Sequence, residues 1–287
     1  MDRRPLLVAA AGLSTLLAAL VTLAVPASGS VQTPVVQTEG VRPAAVPPPS
    51  LPGGTTTVPT SYAMRPYVLH VPAGLLAPAP LVIALHGHSQ EPATIRAYSR
   101  LERLADQQGF VVAFPSGGAG SWNAGTCCIP GTEDGTDDVA YLDEVLTSIA
   151  RRVPVDPDRV AVVGGSNGGM MALRYACERP AVIASVAVVA GVYVSSCTPT
   201  APVPVLALHG ARDNVVPLQG GPNSALRTTF PDVSRSLEPF RKAGGDVQLR
   251  IIPTAGHVWM TRDAHGVDAT RALWDFIRDH PRLGETN

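Results

Sequence analysis

The chain has 287 residues, 45% of them hydrophobic, with 22 basic against 23 acidic side chains and a formal net charge of −1. That balance suits one sizeable globular domain with a full core. Near-neutral charge without a basic run argues against a nucleic-acid partner and against attachment to anionic lipid through a polybasic patch.

At the N-terminus, Arg3 and Arg4 precede an apolar stretch over residues 6–25, followed by Val25-Pro26-Ala27. This pattern predicts a secretory signal over residues 1–27 and hence an extracellular protein. The run approaches the length of a membrane span, so an uncleaved anchor is the alternative, and only then is a membrane a partner. Residues 26–59 hold eight of the 28 prolines among Ser, Thr, Gly and Val. Such a segment buries little surface and reads as a solvated, disordered linker over residues 28–59, with the folded domain over 60–287.

Short apolar runs bounded by Gly and Pro then alternate with helical patterns. Residues 67–71 and 81–85 read as strands, and 92–108 as a helix with Ile95, Tyr98, Leu101 and Leu104 on one face. Residues 110–114 form another strand, stopped by Pro115, and a glycine-rich loop leads to a helix capped by Asp137 or Asp138. Strand 159–163, helix 167–177, strands 183–190, 203–208 and 247–252, and helices 233–242 and 268–279 follow. The strands are continuous apolar runs, which predicts a mostly parallel sheet covered on both faces. The fold class is therefore α/β, doubly wound. Only about a dozen residues separate strands 183–190 and 203–208, which leaves no room there for a large lid.

Between strand 159–163 and helix 167–177 stands Gly164-Gly165-Ser166-Asn167-Gly168. A G-x-S-x-G set in that context predicts a nucleophile elbow, a tight turn presenting the Ser166 hydroxyl above the sheet and at a helix N-terminus. A serine hydroxyl attacks poorly until a base takes its proton, and the base needs an acid to orient it. In such a fold these follow in the order Ser, Asp or Glu, His, at the carboxyl ends of strands. "VPVLALHG" runs into "ARDNVVP" and places Asp213 there, and "VQLRIIP" runs into "TAGHVW" and places His257. Asp246 precedes its strand and His265 lies beyond the loop, so neither meets the requirement. The two backbone N–H donors of an oxyanion hole fall to Asn167, after the nucleophile, and His88, after the His86-Gly87 turn. His86 and His88 lack a third ligand at a recognisable spacing, so neither metal nor cofactor is expected. Gln90 is a candidate hydrogen-bond partner for substrate. Trp122, Trp259 and Tyr193 are candidate aromatic walls, with loop packing the alternative for each.

The motifs "LHGHSQ", "SWNAGTCC" followed by "TDDVAYLDEVL", "GGSNGGMM", "LHGARDNVVP" and "GHVW" together resemble secreted α/β-hydrolase esterases. That group includes feruloyl esterases, acetyl xylan esterases and polyhydroxybutyrate depolymerases, and the resemblance spans roughly residues 62–279. It implies carboxylic ester hydrolysis with Ser166, Asp213 and His257 as the triad, on an acylated polysaccharide or a polyester. The chain departs from the group at His88-Ser89-Gln90, where many relatives carry Cys-Thr-Gln, and at Met260, where proline is common. Other readings on the same fold are a serine peptidase, a cell-envelope acyltransferase and a non-catalytic carbohydrate-binding protein.

The four cysteines fall in the folded domain, where export would allow them to oxidise. Cys127, Cys128 and Cys197 follow strand ends on the catalytic side, whereas Cys177 lies three helical turns, roughly 16 Å, from the elbow. The expected bridge joins Cys197 to Cys127 or Cys128 and leaves Cys177 a buried thiol.

Overall fold

In a computed structural model the chain is described over residues 53–62, 65–128 and 135–282. The expected signal and most of the proline-rich linker lie outside these residues. Among the described residues no helix is long and apolar enough to cross a membrane.

In chain order the elements are β1 (Gly54–Val58), β2 (Tyr67–Val71), β3 (Ala79–Leu85), α1 (Pro92–Ser99), α2 (Leu101–Gln108) and β4 (Val111–Pro115). They continue with α3 (Asp138–Ala150), β5 (Val155–Gly165), α4 (Asn167–Glu178), β6 (Ser185–Val189), β7 (Val205–Gly210), β8 (Gly221–Asn223) and β9 (Thr228–Phe230). The last are α5 (Val233–Ser236), α6 (Glu238–Lys242), β10 (Val247–Ile252), α7 (Arg262–His265) and α8 (Ala269–Asp279). One sheet holds eight strands in the order β1-β2-β4-β3-β5-β6-β7-β10, and β8 and β9 form a separate hairpin. From β4 to β10 every pairing is parallel, while β2 joins β4, and β1 joins β2, antiparallel. The chain has the α/β-hydrolase fold.

Strand periodicity explains why the runs are apolar throughout. Leu81, Ile83 and Leu85 of β3, Val160 and Val162 of β5, and Val186 and Val188 of β6 enter one core with α3 and α4. Their neighbours Val82, Ala84, Ala161, Val163, Ala187 and Val189 enter the other, with α1, α2 and α8. Alternate residues face opposite ways, so a strand covered on both sides must be apolar at every position.

Four expectations change. The sheet starts at Gly54, inside the stretch read as linker: Thr55, Thr56, Thr57 and Val58 are β-branched and pair with β2, an assignment the surrounding prolines hid. The helix expected over 92–108 breaks at Arg100, whose left-handed backbone (φ 52°) lets α2 turn Leu101, Leu104 and Ala105 onto the sheet. The helix expected over 233–242 breaks around Leu237, because Pro239 fits only the first turn of α6. The disulfides are Cys177–Cys197 and Cys127–Cys128, not the bridge expected. The segment after β6 must return to the opposite edge of the sheet before β7 can run parallel, and no helix does this within residues 190–204. That coil itself descends beside α4, bringing Cys197 within 6.2 Å (Cα–Cα) of Cys177.

Candidate active site

The elbow is built by β5 and α4. Ser166 stands between them at φ 52° and ψ −124°, a conformation that costs a side-chain-bearing residue roughly 1–3 kcal/mol. Its own N–H is anchored to the Val189 carbonyl at the end of β6 (2.9 Å). A Cβ at Gly168 would overlap the carbonyl oxygens of Leu85 and His86, so glycine there is what lets α4 start this close to β3.

Asp213 and His257 reach the elbow from neighbouring loops. The Ala211 N–H bonds the Ile252 carbonyl (3.0 Å) and the Arg212 N–H bonds the Ala255 carbonyl (2.9 Å), stitching the loop after β7 to the loop after β10. His257 Nδ1 lies 2.8 Å from Asp213 Oδ2, and His257 Nε2 lies 2.9 Å from Ser166 Oγ. The other carboxylate oxygen, Asp213 Oδ1, accepts from the N–H groups of Val215 (2.9 Å) and Val216 (2.8 Å). Burial on its own would raise the Asp213 pKa. The hydrogen bond and charge of His257, with the Val216 N–H, outweigh it and hold the carboxyl below its ordinary value. Asp213 is therefore an ionised acceptor fixed at both oxygens, and His257 carries its proton on Nδ1 and offers Nε2 to the serine. Ser166 and His257 open into a cleft of about 270 Å³ bounded by Gly87, Gln90, Tyr98, Gly165, Val189 and Trp259, while Asp213 lies buried behind them.

The family model for esterase PHB depolymerase matches residues 65–221, more than half of the chain. The chain belongs to the esterase PHB depolymerase family. It is 34% identical over 203 residues to a Nocardia uniformis subsp. tsuyamanensis protein named as an esterase, NocK, covering 65% of this chain and 58% of that one. It is 29% identical over 199 residues to feruloyl esterase B of Piromyces equi, covering 63% of this chain and 36% of that one. The chain thus spans between about a third and three fifths of these relatives' lengths. In fold it is similar to an acetyl xylan esterase from Aspergillus awamori (TM-score 0.52, 18% identity, 71% of this chain and 94% of that one).

In this esterase PHB depolymerase family member the candidate oxyanion donor Asn167 follows Ser166 directly, and the other, His88, follows Gly87, which lines the cleft. The Asn167 N–H opens α4 and has no intrahelical acceptor. The Gly87 N–H is taken by Gln90 Oε1 (2.9 Å), while the His88 N–H carries no hydrogen bond among the described residues. Gln90 lines the cleft, yet its carbonyl oxygen braces the turn. Trp259 lines the cleft as well, with its indole N–H tied to Thr270 Oγ1 (3.0 Å). Trp122 does not. It is fully buried and donates its indole N–H to the His86 carbonyl (2.9 Å), the loop-packing alternative. Tyr193 is also buried, packed edge-on against Phe240.

Several supporting side chains have roles that the motifs around them did not announce. The Asn167 side chain pins the loop before Trp122: Oδ1 accepts from the Trp122 N–H (2.8 Å) and the Ser121 hydroxyl (3.2 Å), and Nδ2 donates to the Trp122 carbonyl (3.0 Å). Ser121 Oγ in turn lies 3.0 Å from His88 Nδ1. The buried pair Arg65–Asp138 (2.7 Å) holds the same loop through the Asn123 N–H on Asp138 Oδ2 (2.6 Å). Under Asp213 lies His209, fully buried, donating Nε2–H to the Val216 carbonyl (2.8 Å) at 3.5 Å from Asp213 Oδ2. A histidine ending a buried strand in "LALHG" was the one available signal for it.

His86 shapes the turn that offers the His88 amide. Its Nδ1–H donates to the Gly87 carbonyl (2.8 Å) and its Nε2 accepts from the Gly117 N–H (2.8 Å), which requires a neutral ring. Burial pushes this imidazole down to about 4, and the Arg65 charge pushes the same way against the Gly87 hydrogen bond. An unfolded histidine binds its proton near pH 6.5, well before this folded one does. The contribution is therefore complete above that pH and is lost as pH falls through about 4. Urea unfolding between pH 7 and pH 4 is expected to show a loss of roughly 3 kcal/mol from this ring. The His86→Gln variant should lack that part of the slope, and equal slopes would rule it out.

Proposed function

We propose that this chain is a serine carboxylic ester hydrolase acting through an acyl-enzyme, with Ser166 as nucleophile, His257 as base and Asp213 as its orienting acid. One observation carries the reading: an unbroken hydrogen-bonded line from carboxylate to imidazole to hydroxyl at the carboxyl ends of three parallel strands. His257 takes the serine proton as Oγ attacks the ester carbonyl, and the N–H groups of Asn167 and His88 stabilise the oxyanion. The protonated His257 returns its proton to the leaving alcohol, then activates the water that releases the acid.

The substrates we infer are esters carried on a polymer, either an acylated polysaccharide or a polyhydroxyalkanoate. Family membership and the names of the relatives support this, as does a cleft open to solvent beside Val258, which is 42% exposed. We also infer export. All four cysteines are paired, as suits an oxidising compartment, and the N-terminal residues have the composition of a signal.

Purified protein assayed on methyl ferulate, acetylated xylan, polyhydroxybutyrate and short synthetic esters tests the reading. Hydrolysis of at least one ester class with no cleavage of matched peptide amides is the expected result. Faster cleavage of amides, or acyl transfer to a sugar outrunning hydrolysis, would replace it.

A further inference from the structure

The buried tyrosines Tyr67, Tyr141, Tyr175 and Tyr193 each place their hydroxyl on a partner within the protein: Ser148, the Pro66 carbonyl, Asp143 and the Cys197 carbonyl. Tyr98 does not. Its hydroxyl makes no hydrogen bond among the described residues, although the side chain is half-buried and lines the cleft beside Ser166. This oxygen is not sealed in the interior; it faces the cleft, where an entering ligand can take it.

The wall that carries it is rigid. The Tyr98 ring packs on Trp259 with centroids 5.3 Å apart, and Trp259 is held through Thr270, whose hydroxyl bonds the Ser99 carbonyl. Burial raises the Tyr98 pKa above the ordinary phenol value, so the group stays a donor.

Gly165 is a second, independent observation. Unlike Gly168, its absent Cβ would meet no backbone: the nearest atoms are the Tyr98 hydroxyl at 3.2 Å and the Trp259 ring at 3.6 Å. Its backbone does not lie in the left-handed region either. Turn geometry leaves this glycine unexplained, and its effect is to keep clear the space next to the phenol, one residue before the nucleophile.

We propose that Tyr98 and Gly165 form a subsite in which the phenol hydrogen-bonds an oxygen atom on the acyl group of the ester, a reading that rests on Ser166 being the nucleophile. The leaving alcohol must take its proton from His257 Nε2 and so lies against that atom, and in this reading the acyl chain occupies the space beside Gly165. An acetyl group has no further atom to offer this hydroxyl. A hydroxyacyl chain or an oxygenated aromatic acid does, and the subsite selects for that chemistry.

The test compares kcat/KM within two matched pairs, 4-nitrophenyl 3-hydroxybutyrate against butyrate and methyl ferulate against methyl cinnamate, for the wild-type protein and Tyr98→Phe. The wild type is expected to favour the oxygen-bearing member of at least one pair, and Tyr98→Phe to lower that ratio about tenfold, the scale of one neutral hydrogen bond. The pair that responds identifies which acyl class the subsite takes. Tyr98→Leu removes the same oxygen should the phenylalanine variant fail to fold. A ratio unchanged in both pairs, or a wild type without preference in either, overturns the subsite. Butyrate hydrolysis by the wild type would still stand in that case, so the esterase reading is judged separately.

Discussion

Ser166→Ala is expected to lower kcat by roughly four to six orders of magnitude on whichever ester the protein hydrolyses best. Among the described residues only the Ser166 hydroxyl lies within hydrogen-bonding distance of His257 Nε2, at 2.9 Å, so its removal leaves the imidazole with no side-chain nucleophile to activate. The proposed backbone donors of Asn167 and His88 survive the substitution, so a residual rate above the uncatalysed reaction is expected from oxyanion stabilisation alone. The same position carries a stability signature. Because Ser166 holds φ 52°, Ser166→Gly should unfold at higher denaturant than Ser166→Ala by roughly 1 kcal/mol, although both are inactive. Steady-state kinetics and urea unfolding on the two variants check both halves. Full activity in Ser166→Ala would place the chemistry elsewhere.

Asp213→Asn is expected to cost roughly 10⁴-fold in kcat/KM while leaving the fold close to intact. Oδ1 of Asp213 accepts from two backbone N–H groups, which dictates how an asparagine would sit: its carbonyl takes that position and its NH₂ faces His257. An NH₂ there donates to Nδ1 and forces the imidazole proton onto Nε2. The ring then donates to Ser166 instead of accepting from it, and general-base catalysis is lost through the wrong tautomer. His209, 3.5 Å from Oδ2, can donate but not accept through Nε2 while it bonds the Val216 carbonyl, so it cannot rescue the arrangement. Thermal unfolding separates this from misfolding. A variant within tenfold of wild type would mean that another acid orients His257.

Much of this was legible in one dimension, for reasons that can be named. Continuous apolar strands followed by short loops put Asp213 and His257 at one edge of the sheet, because parallel connectivity leaves the carboxyl ends no other place to go. Gly164 to Gly168 between strand and helix fixed the third partner, since only glycine tolerates the contact that Gly168 makes with β3. What escaped was whatever depends on a loop's path. Trp122 in its glycine-rich loop reads as a cleft wall or as packing, and its bonds to the Asn167 amide decide for packing. Cys197 follows a strand end in sequence, but the coil around it crosses back down the sheet, which no local pattern announces. Tyr98 fits the apolar face of a helix by its spacing, and periodicity says nothing about a phenol oxygen left unpartnered in a cleft. Strand β1 was hidden by prolines on both sides of "GTTTV", where composition outweighed β-branching.

The most direct measurement is labelling with a fluorophosphonate, which forms a stable adduct with a serine only when a neighbouring imidazole has removed its proton. Intact-mass analysis and peptide mapping of the labelled protein should find a single adduct on Ser166, absent in His257→Ala. A folded protein that takes no label, or takes it on a different serine, contradicts the account at its root.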